Sequence, residues 1–308
     1  MKPSIIFMGT AEFAVPSLNI LLENNFDIKA VVTASDKPAG RGCKIVYSDV
    51  KKFAIEKNID ILQPEKLKDN SFYKTLKEYN ADLFVVVAFR MLPKEIWSMP
   101  KLGTINLHAA LLPDYRGAAP INHAIINGET KTGVTTFFID EIIDNGNIIL
   151  QKECEINPED NIGTMYEKLK LLGSNLVLET VNLIAQGNLT AIPQVYTAES
   201  QLKTAPKITK EFCKINWNNH VINIHNFVRG LSPYPCAFFN VNDDNIIKIY
   251  KSSYTVENHN YEYGKLISDN KKYIKVAAKN GFLNIEELQI SGKKRMDIKA
   301  FLAGNRIV

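Results

Sequence analysis

Asn106 and His108 stand two residues apart at the head of the stretch Asn106-Leu107-His108-Ala109-Ala110-Leu111-Leu112-Pro113-Asp114-Tyr115-Arg116-Gly117-Ala118-Ala119-Pro120. Strand side chains repeat every two residues, so this spacing puts an amide and an imidazole on one face. The imidazole titrates near neutrality and can take or give a proton, while the amide can hydrogen-bond a developing oxyanion. A carboxylate that orients the ring and balances its charge would complete the set. The turn Asp144-Asn145-Gly146 offers one. On residue chemistry alone an Asn-x-His pair serves structure more often than catalysis, and both readings stay open at this point.

Other chemistries lack their residues. Gly9-Thr10-Ala11-Glu12 does not follow the G-x-G-x-x-G dinucleotide pattern, and Gly40-Arg41-Gly42-Cys43-Lys44 has neither the spacing nor the Ser/Thr of a phosphate-binding P-loop. No H-E-x-x-H pair occurs, and His123, His220, His225 and His259 have no partners at ligand spacing, so no metal is expected. Four cysteines, at 43, 154, 213 and 236, form no C-x-x-C pair, which fits reduced thiols in a cytosol. The longest apolar run, Leu83 to Phe89, is too short for a bilayer, and Glu12 interrupts any signal-like N-terminus. A cytoplasmic protein with no membrane association is expected.

A strand that presents Asn106 and His108 needs a sheet around it. Ser4–Met8 and Ile28–Thr33 read as strands, and Asp82–Ala88 is apolar throughout, as a parallel strand buried on both faces should be. Gly103–Leu107 follows, with helical segments at Glu12–Asn25, Asp49–Asn58 and Ala119–Asn127 between and after them. This alternation predicts an α/β fold with an open, mostly parallel Rossmann-like sheet, and the carboxyl ends of such strands are where ligands bind. Val134–Ile139 and Asn147–Gln151 add strands. Thr164 with Glu167 reads as a capping box for a helix that Gly187 closes.

The 308 residues are about twice one domain's usual length. Residues 188–208, with Pro193, Pro206 and little apolar periodicity, read as a linker between a domain at 1–187 and another at 209–308. The second has a helix near Asn219–Gly230 and short strands at Asn245–Tyr250, Tyr273–Ala278 and Gly281–Ile285, which suggests a small C-terminal β-barrel of OB-like type. The net charge of +4 is uneven. Through Lys207 there are 22 Lys+Arg against 24 Asp+Glu; beyond it there are 15 against 9. Lys271, Lys272, Lys275 and Lys279 fall on or beside one strand, and Lys293-Lys294-Arg295 form a second cluster. Such an excess suits a polyanion, although it also suits a solvated surface.

At this point the chain resembles the folate-dependent formyltransferases, and among them the branch acting on methionyl initiator tRNA. The resemblance runs from Ile5-Ile6-Phe7-Met8-Gly9-Thr10 to Gly304-Asn305-Arg306-Ile307-Val308. The family's N-x-H-x-S-L-L-P signature falls on Asn106, His108 and Ala110–Pro113, with alanine for the usual serine at 110, and its D-x-G turn falls on Asp144 and Gly146. The resemblance implies transfer of a formyl group from 10-formyltetrahydrofolate, as co-substrate, to the α-amino group of methionyl initiator tRNA. His108 would handle the proton and polarise the oxyanion, Asn106 would donate to it, and Asp144 would orient the ring. The folate is expected against Ala110, Leu111, Leu112 and Pro113 and against Phe89 and Leu92, in a loop where Phe89-Arg90 replaces the family's A-Y-G and a one-residue-longer path.

The loop Asp36-Lys37-Pro38-Ala39-Gly40-Arg41-Gly42-Cys43-Lys44 carries Lys37, Arg41 and Lys44, and in the resembled family such a loop enters the tRNA acceptor stem. Lys272, Lys293 and Lys294 are expected to touch tRNA from the C-terminal domain. The implied protein is a monomer. A sugar-nucleotide formyltransferase would share the Asn/His/Asp site and lack the K-P-A-G-R-G loop. The purine-pathway formyltransferase is shorter and lacks a basic second domain. A non-catalytic RNA-binding protein on the same scaffold would have no reason to keep Asn106, His108 and Asp144.

Overall fold

A computed structural model describes residues 2–39, 44–187, 189–195, 202–241 and 246–305. Its packing forms two units. The first comprises Met1–Gly117, Gly133–Cys154 and Glu167–Lys203; the second comprises Ala118–Thr132, Glu155–Tyr166 and Thr204–Val308. The packing thus draws two earlier stretches, 118–132 and 155–166, into the second unit.

The first unit opens with β1 (Ser4–Gly9), α1 (Val15–Glu23), β2 (Asp27–Val32), the short β3 (Lys37–Ala39) and β4 (Lys44–Val46), α2 (Asp49–Glu56) and β5 (Ile61–Leu62). It continues through α3 (Asn70–Glu78), β6 (Leu83–Val87), α4 (Lys94–Trp97), β7 (Thr104–His108) and β8 (Arg116–Gly117). Beyond α5 (Pro120–Ile126) come β9 (Lys131–Phe138), β10 (Ile148–Glu155) and α6 (Ile162–Gln186). The main sheet runs β10-β9-β7-β6-β1-β2-β5. Pairings β2·β5, β1·β2, β1·β6 and β6·β7 are parallel, and β7·β9 is antiparallel. This is the expected α/β class. All five residues of β6 are buried, as a Leu-Phe-Val-Val-Val strand covered on both faces must be. From β1 the chain moves outward through β2 and β5, then returns to β6 on the other side. The sheet therefore has its switch point between β1 and β6, and β7 ends at His108 on that same carboxyl edge.

Local signals start and stop the helices. Ser48 Oγ accepts from Lys51 N at 3.1 Å to open α2, and Asp69 Oδ1 accepts from Ser71 N at 2.9 Å to open α3. The expected Thr164/Glu167 box at α6 is corrected. Asn161 and Thr164 bond each other's backbone N–H at 3.0 Å, so the helix begins nearly a turn earlier, at Ile162. Gly187 does close it, with φ +71° and its N–H on the Ile184 carbonyl at 3.1 Å. The stretch read as linker is not loose between 189 and 195. Ile192 and Ile148 exchange two backbone hydrogen bonds of 2.8 Å, extending the edge beside β10.

The second unit includes β11 (Thr204–Ala205), α7 (Val221–Leu231), β12 (Ala237–Asn240), β13 (Ile246–Val256), β14 (Leu266–Ser268), β15 (Ile274–Ala278), β16 (Gly281–Ile290), β17 (Met296–Asp297) and α8 (Ile298–Gly304). Its antiparallel sheet runs β12-β13-β16-β15-β14, with β17 on β16. This is the small β region expected after the linker. Val221, Ile224, Val228 and Leu231 from α7 pack with Ile247, Ile249, Leu283, Ile285 and Leu288 of the sheet and Phe301 of α8. Each such side chain contributes about 1.5–3 kcal/mol on full burial. Among the described residues no helix is long and apolar enough to cross a membrane.

Candidate active site

His108 is the last residue of β7, buried at 6% exposure, and Thr135 of β9 lies directly across from it. Its Nε2 is 2.8 Å from the Tyr115 carbonyl. A carbonyl can only accept, so Nε2 carries the proton there and Nδ1 is left as the basic nitrogen of the neutral ring. Nδ1 faces Asp144 Oδ2 at 3.9 Å, with the two side chains 7% and 13% exposed. That distance is too long for a hydrogen bond and short enough to balance an imidazolium charge. The orienting contact on the ring is thus the Tyr115 carbonyl. Asp144 lies where it can balance a positive charge on the ring.

Asp144 is in turn held. Its Oδ2 accepts the Gly117 N–H at 3.0 Å, and its backbone has φ +53°, the left-handed region that Asp and Asn enter more readily than most residues. Gly146 follows where the loop between β9 and β10 passes hard against Phe138: a Cβ at 146 would meet that carbonyl oxygen at 1.6 Å. Only glycine fits, which explains the turn's D-x-G form. Gln194, from the stretch read as linker, donates its amide to the carbonyls of Asp144 at 3.0 Å and Gly146 at 2.9 Å. Asn106 is half-buried on the His108 face of β7, and its side-chain amide has no hydrogen-bond partner among the described residues. It is free to bind a ligand atom.

The Ala110–Pro113 loop is fastened from β9 and β10. Thr135 Oγ1 donates to the Ala110 carbonyl at 2.6 Å and accepts from Leu112 N at 3.2 Å. Gln151 Nε2 donates to the Leu112 carbonyl at 2.8 Å and to Thr135 Oγ1 at 3.0 Å. Ala110 and Leu112 are buried, while Leu111 and Pro113 are half-buried. In the 88–93 loop, Leu92 is buried in the core with Ile96, and Phe89 packs on that cluster. Arg90 crosses Phe89 at 5.5 Å and donates to the carbonyls of Pro64 at 2.6 Å and Glu65 at 3.0 Å. The Leu92 side chain thus lies in the core, and Phe89 packs half-buried against it; Met91, 75% exposed, is the large apolar side chain this loop turns outward. Tyr115, Gly117, Thr135, Gln151 and Gln194 were not legible as site residues.

Of the expected cationic residues, Lys37 is exposed on β3 and Lys44 begins β4. Arg41 lies outside the described residues. At the root of that loop, Lys51 and the Gln63 amide hydrogen-bond Asp36 and hold its carboxyl below the usual carboxylate range. Lys272 and Lys294 are exposed in turns of the second unit, and exposed Lys293 reaches Asn305 Oδ1 at 2.5 Å. No group of three His, Cys, Asp or Glu side chains that could hold a metal occurs among the described residues.

Comparison with known proteins gives a consistent result. The family described as Formyl transferase matches residues 1–181, and that described as Formyl transferase, C-terminal domain, matches 207–306. A methionyl-tRNA formyltransferase of Flavobacterium johnsoniae is 54% identical over 306 residues, covering 98% of this chain and 96% of that protein. One from Bacteroides thetaiotaomicron is 49% identical over 308 residues, covering 98% and 96%. Among solved structures, the sugar 3N-formyl transferase WlaRD, crystallised with dTDP and 5-N-formyl-THF, has TM-score 0.67 at 23% identity and covers 96% of this chain and 100% of its own. HypX from Aquifex aeolicus with tetrahydrofolic acid has TM-score 0.63 at 16% identity, covering 97% of this chain and 46% of its own. Identities this low speak for the fold alone.

Proposed function

The chain belongs to the formyl transferase family, and we propose that it transfers the formyl group of 10-formyltetrahydrofolate to the α-amino group of methionyl initiator tRNA. Relatives near 50% identity that span nearly all of both chains support this substrate pair. The observation that carries the chemistry is the His108 ring, with its Nε2 on a carbonyl and its Nδ1 beside Asp144.

An attacking amine must shed a proton, and the tetrahedral carbon it forms carries negative charge on oxygen. His108 Nδ1 takes the proton, and Asp144, 3.9 Å away, balances the imidazolium; as the tetrahedral carbon collapses, its bond to N10 of the folate breaks, the imidazolium returns the proton to N10, and tetrahydrofolate leaves. Asn106, its amide uncommitted, donates to the oxyanion. Positioned proton transfer contributes roughly 10²–10⁴-fold and one oxyanion donor about 10²–10³-fold. The Ala110–Pro113 loop, braced by Thr135 and Gln151, offers the folate backbone groups and the half-buried Leu111 and Pro113. We assign tRNA contacts to Lys37, Arg41, Lys44, Lys272, Lys293 and Lys294. Residues 1–187 form the catalytic domain and 209–308 the tRNA-binding domain of a cytoplasmic monomer.

The test is direct. Incubation with 10-formyltetrahydrofolate and methionyl initiator tRNA should yield formylmethionyl-tRNA. Absence of that product, with formylation of an amino-sugar nucleotide in its place, would overturn the proposal.

A further inference from the structure

We infer that Gln194 is a positioning residue for formyl transfer: it ties the Asp144 turn to the Tyr115–Gly117 stretch and so sets the approach of Asp144 to His108. The inference rests on the catalytic reading of His108 and Asp144 above. Gln194 uses both ends of its amide. Nε2 donates to the Asp144 and Gly146 carbonyls at 3.0 and 2.9 Å, and Oε1 accepts from Arg116 Nε at 3.2 Å and Nη2 at 2.6 Å. Arg116 lies between the two residues that touch the catalytic pair through their backbone: the Tyr115 carbonyl takes His108 Nε2–H, and the Gly117 N–H donates to Asp144. Hydrogen bonds therefore run in a closed circuit from Arg116 to Gln194, to the Asp144 backbone, and back by the Asp144 carboxylate to the Gly117 N–H, and His108 is attached to it through the Tyr115 carbonyl.

The position of Gln194 is itself set by the pairing just before it. Two residues before it, Ile192 is paired with Ile148 at the start of β10. Nine residues after it, the Lys203 carbonyl accepts from Tyr115 N at 2.5 Å and Lys203 N donates to Asp114 Oδ1 at 3.0 Å. Two described parts of the stretch read as a linker thus meet this region, Gln194 at the Asp144 turn and Lys203 at the Asp114–Tyr115 turn. Glutamine suits the task because one amide both donates to two carbonyls and accepts from a guanidinium. A glutamate would keep the arginine and confront both carbonyls with a second acceptor.

Small displacements of a catalytic group can cost up to ~10²-fold in rate. We expect Gln194→Ala to lower kcat between about tenfold and a hundredfold, with KM for tRNA and for folate moving less than about threefold. Gln194→Glu should fall to a similar level. In the Asp144→Ala background, Gln194→Ala should cost nothing further, because residues acting through one group are not additive. Unchanged kcat in Gln194→Ala, near-wild-type kcat in Gln194→Glu, a loss confined to KM or thermal stability, or full additivity with Asp144→Ala would each overturn the inference. Asp144→Ala alone separates the two readings. If it keeps full activity, the catalytic assignment fails. If it loses activity while Gln194→Ala does not, only the positioning role fails.

Discussion

The two units handle charge in different ways. In the first, the polar groups that matter are few and mostly buried or half-buried, and apart from the open amide of Asn106 they are held by named partners: His108 by the Tyr115 carbonyl, Asp144 by the Gly117 N–H, and the Ala110–Pro113 loop by Thr135 and Gln151. In the second, the charge excess is carried by exposed lysines. Their turns are fixed through the backbone, as where Asp269 Oδ1 accepts from the N–H of Lys271, Lys272 and Tyr273 at 2.7–3.2 Å. Bond making needs atoms placed to a fraction of an ångström, whereas holding a polyanion needs charge count and tolerates mobile side chains. A half-buried titratable group of the second unit, His225, bears on stability. Burial pushes its imidazole down to about 4, and the Arg229 guanidinium adds to the shift.

The widest separation between the units should come from the reacting pair. His108→Ala and Asp144→Ala should each lower kcat by at least ~10²-fold while unfolding at the wild-type temperature. Near-wild-type turnover in either would erase the contrast. Next is the pH dependence of stability. The folded His225 stays neutral while its unfolded counterpart, near 6.5, takes up a proton. Its contribution is therefore complete above about pH 6.5 and is lost as pH falls toward about 4, on the order of 2–3 kcal/mol. Denaturant titrations across that window should find a shallower decline in His225→Gln. Equal slopes in the two proteins would refute it.

Thr135→Val probes the first unit's reliance on specific bonds. It keeps the shape and strips the partners from Leu112 N and the Ala110 carbonyl, so about 1–2 kcal/mol of stability should go. KM for folate should rise more than KM for tRNA; a uniform change would argue against the loop as the folate wall. The smallest effect belongs to the lysines. Lys293→Ala with Lys294→Ala should weaken tRNA binding modestly and flatten its salt dependence by roughly 0.7–0.9 in log–log slope for each phosphate no longer neutralised. An unchanged slope would remove these residues from the tRNA surface.

Much of the frame was legible because it is local. The apolar run of β6 and the two-residue spacing of Asn106 and His108 need only a few consecutive residues to read. Where signals were thin, reading failed. α3 buries only Phe72 and Leu76, so its apolar stripe barely registers, and β13 runs on to Val256 through Lys251, Ser253 and Thr255, residues that keep their ladder with β16 while facing outward. The Thr164/Glu167 box matched a pattern, yet the side chain of Asn161 took the Thr164 N–H that Glu167 would have capped.

From the order of its residues alone, the chain determined an α/β sheet and a basic C-terminal third, and put forward the trio Asn106, His108 and Asp144. Tertiary structure decided which atoms that trio meets. The partner of His108 Nε2 is a backbone carbonyl, and a carbonyl carries no residue identity to read. The donors that hold Asp144 come from Gly117 and Gln194, 27 and 50 positions away. Leu92 is apolar enough for a ligand wall or a core, and only packing assigned it to the core, with Phe89 half-buried against it. Residue type limits what a side chain can do; which atom it meets depends on how distant segments come together, and that happens only in the folded chain.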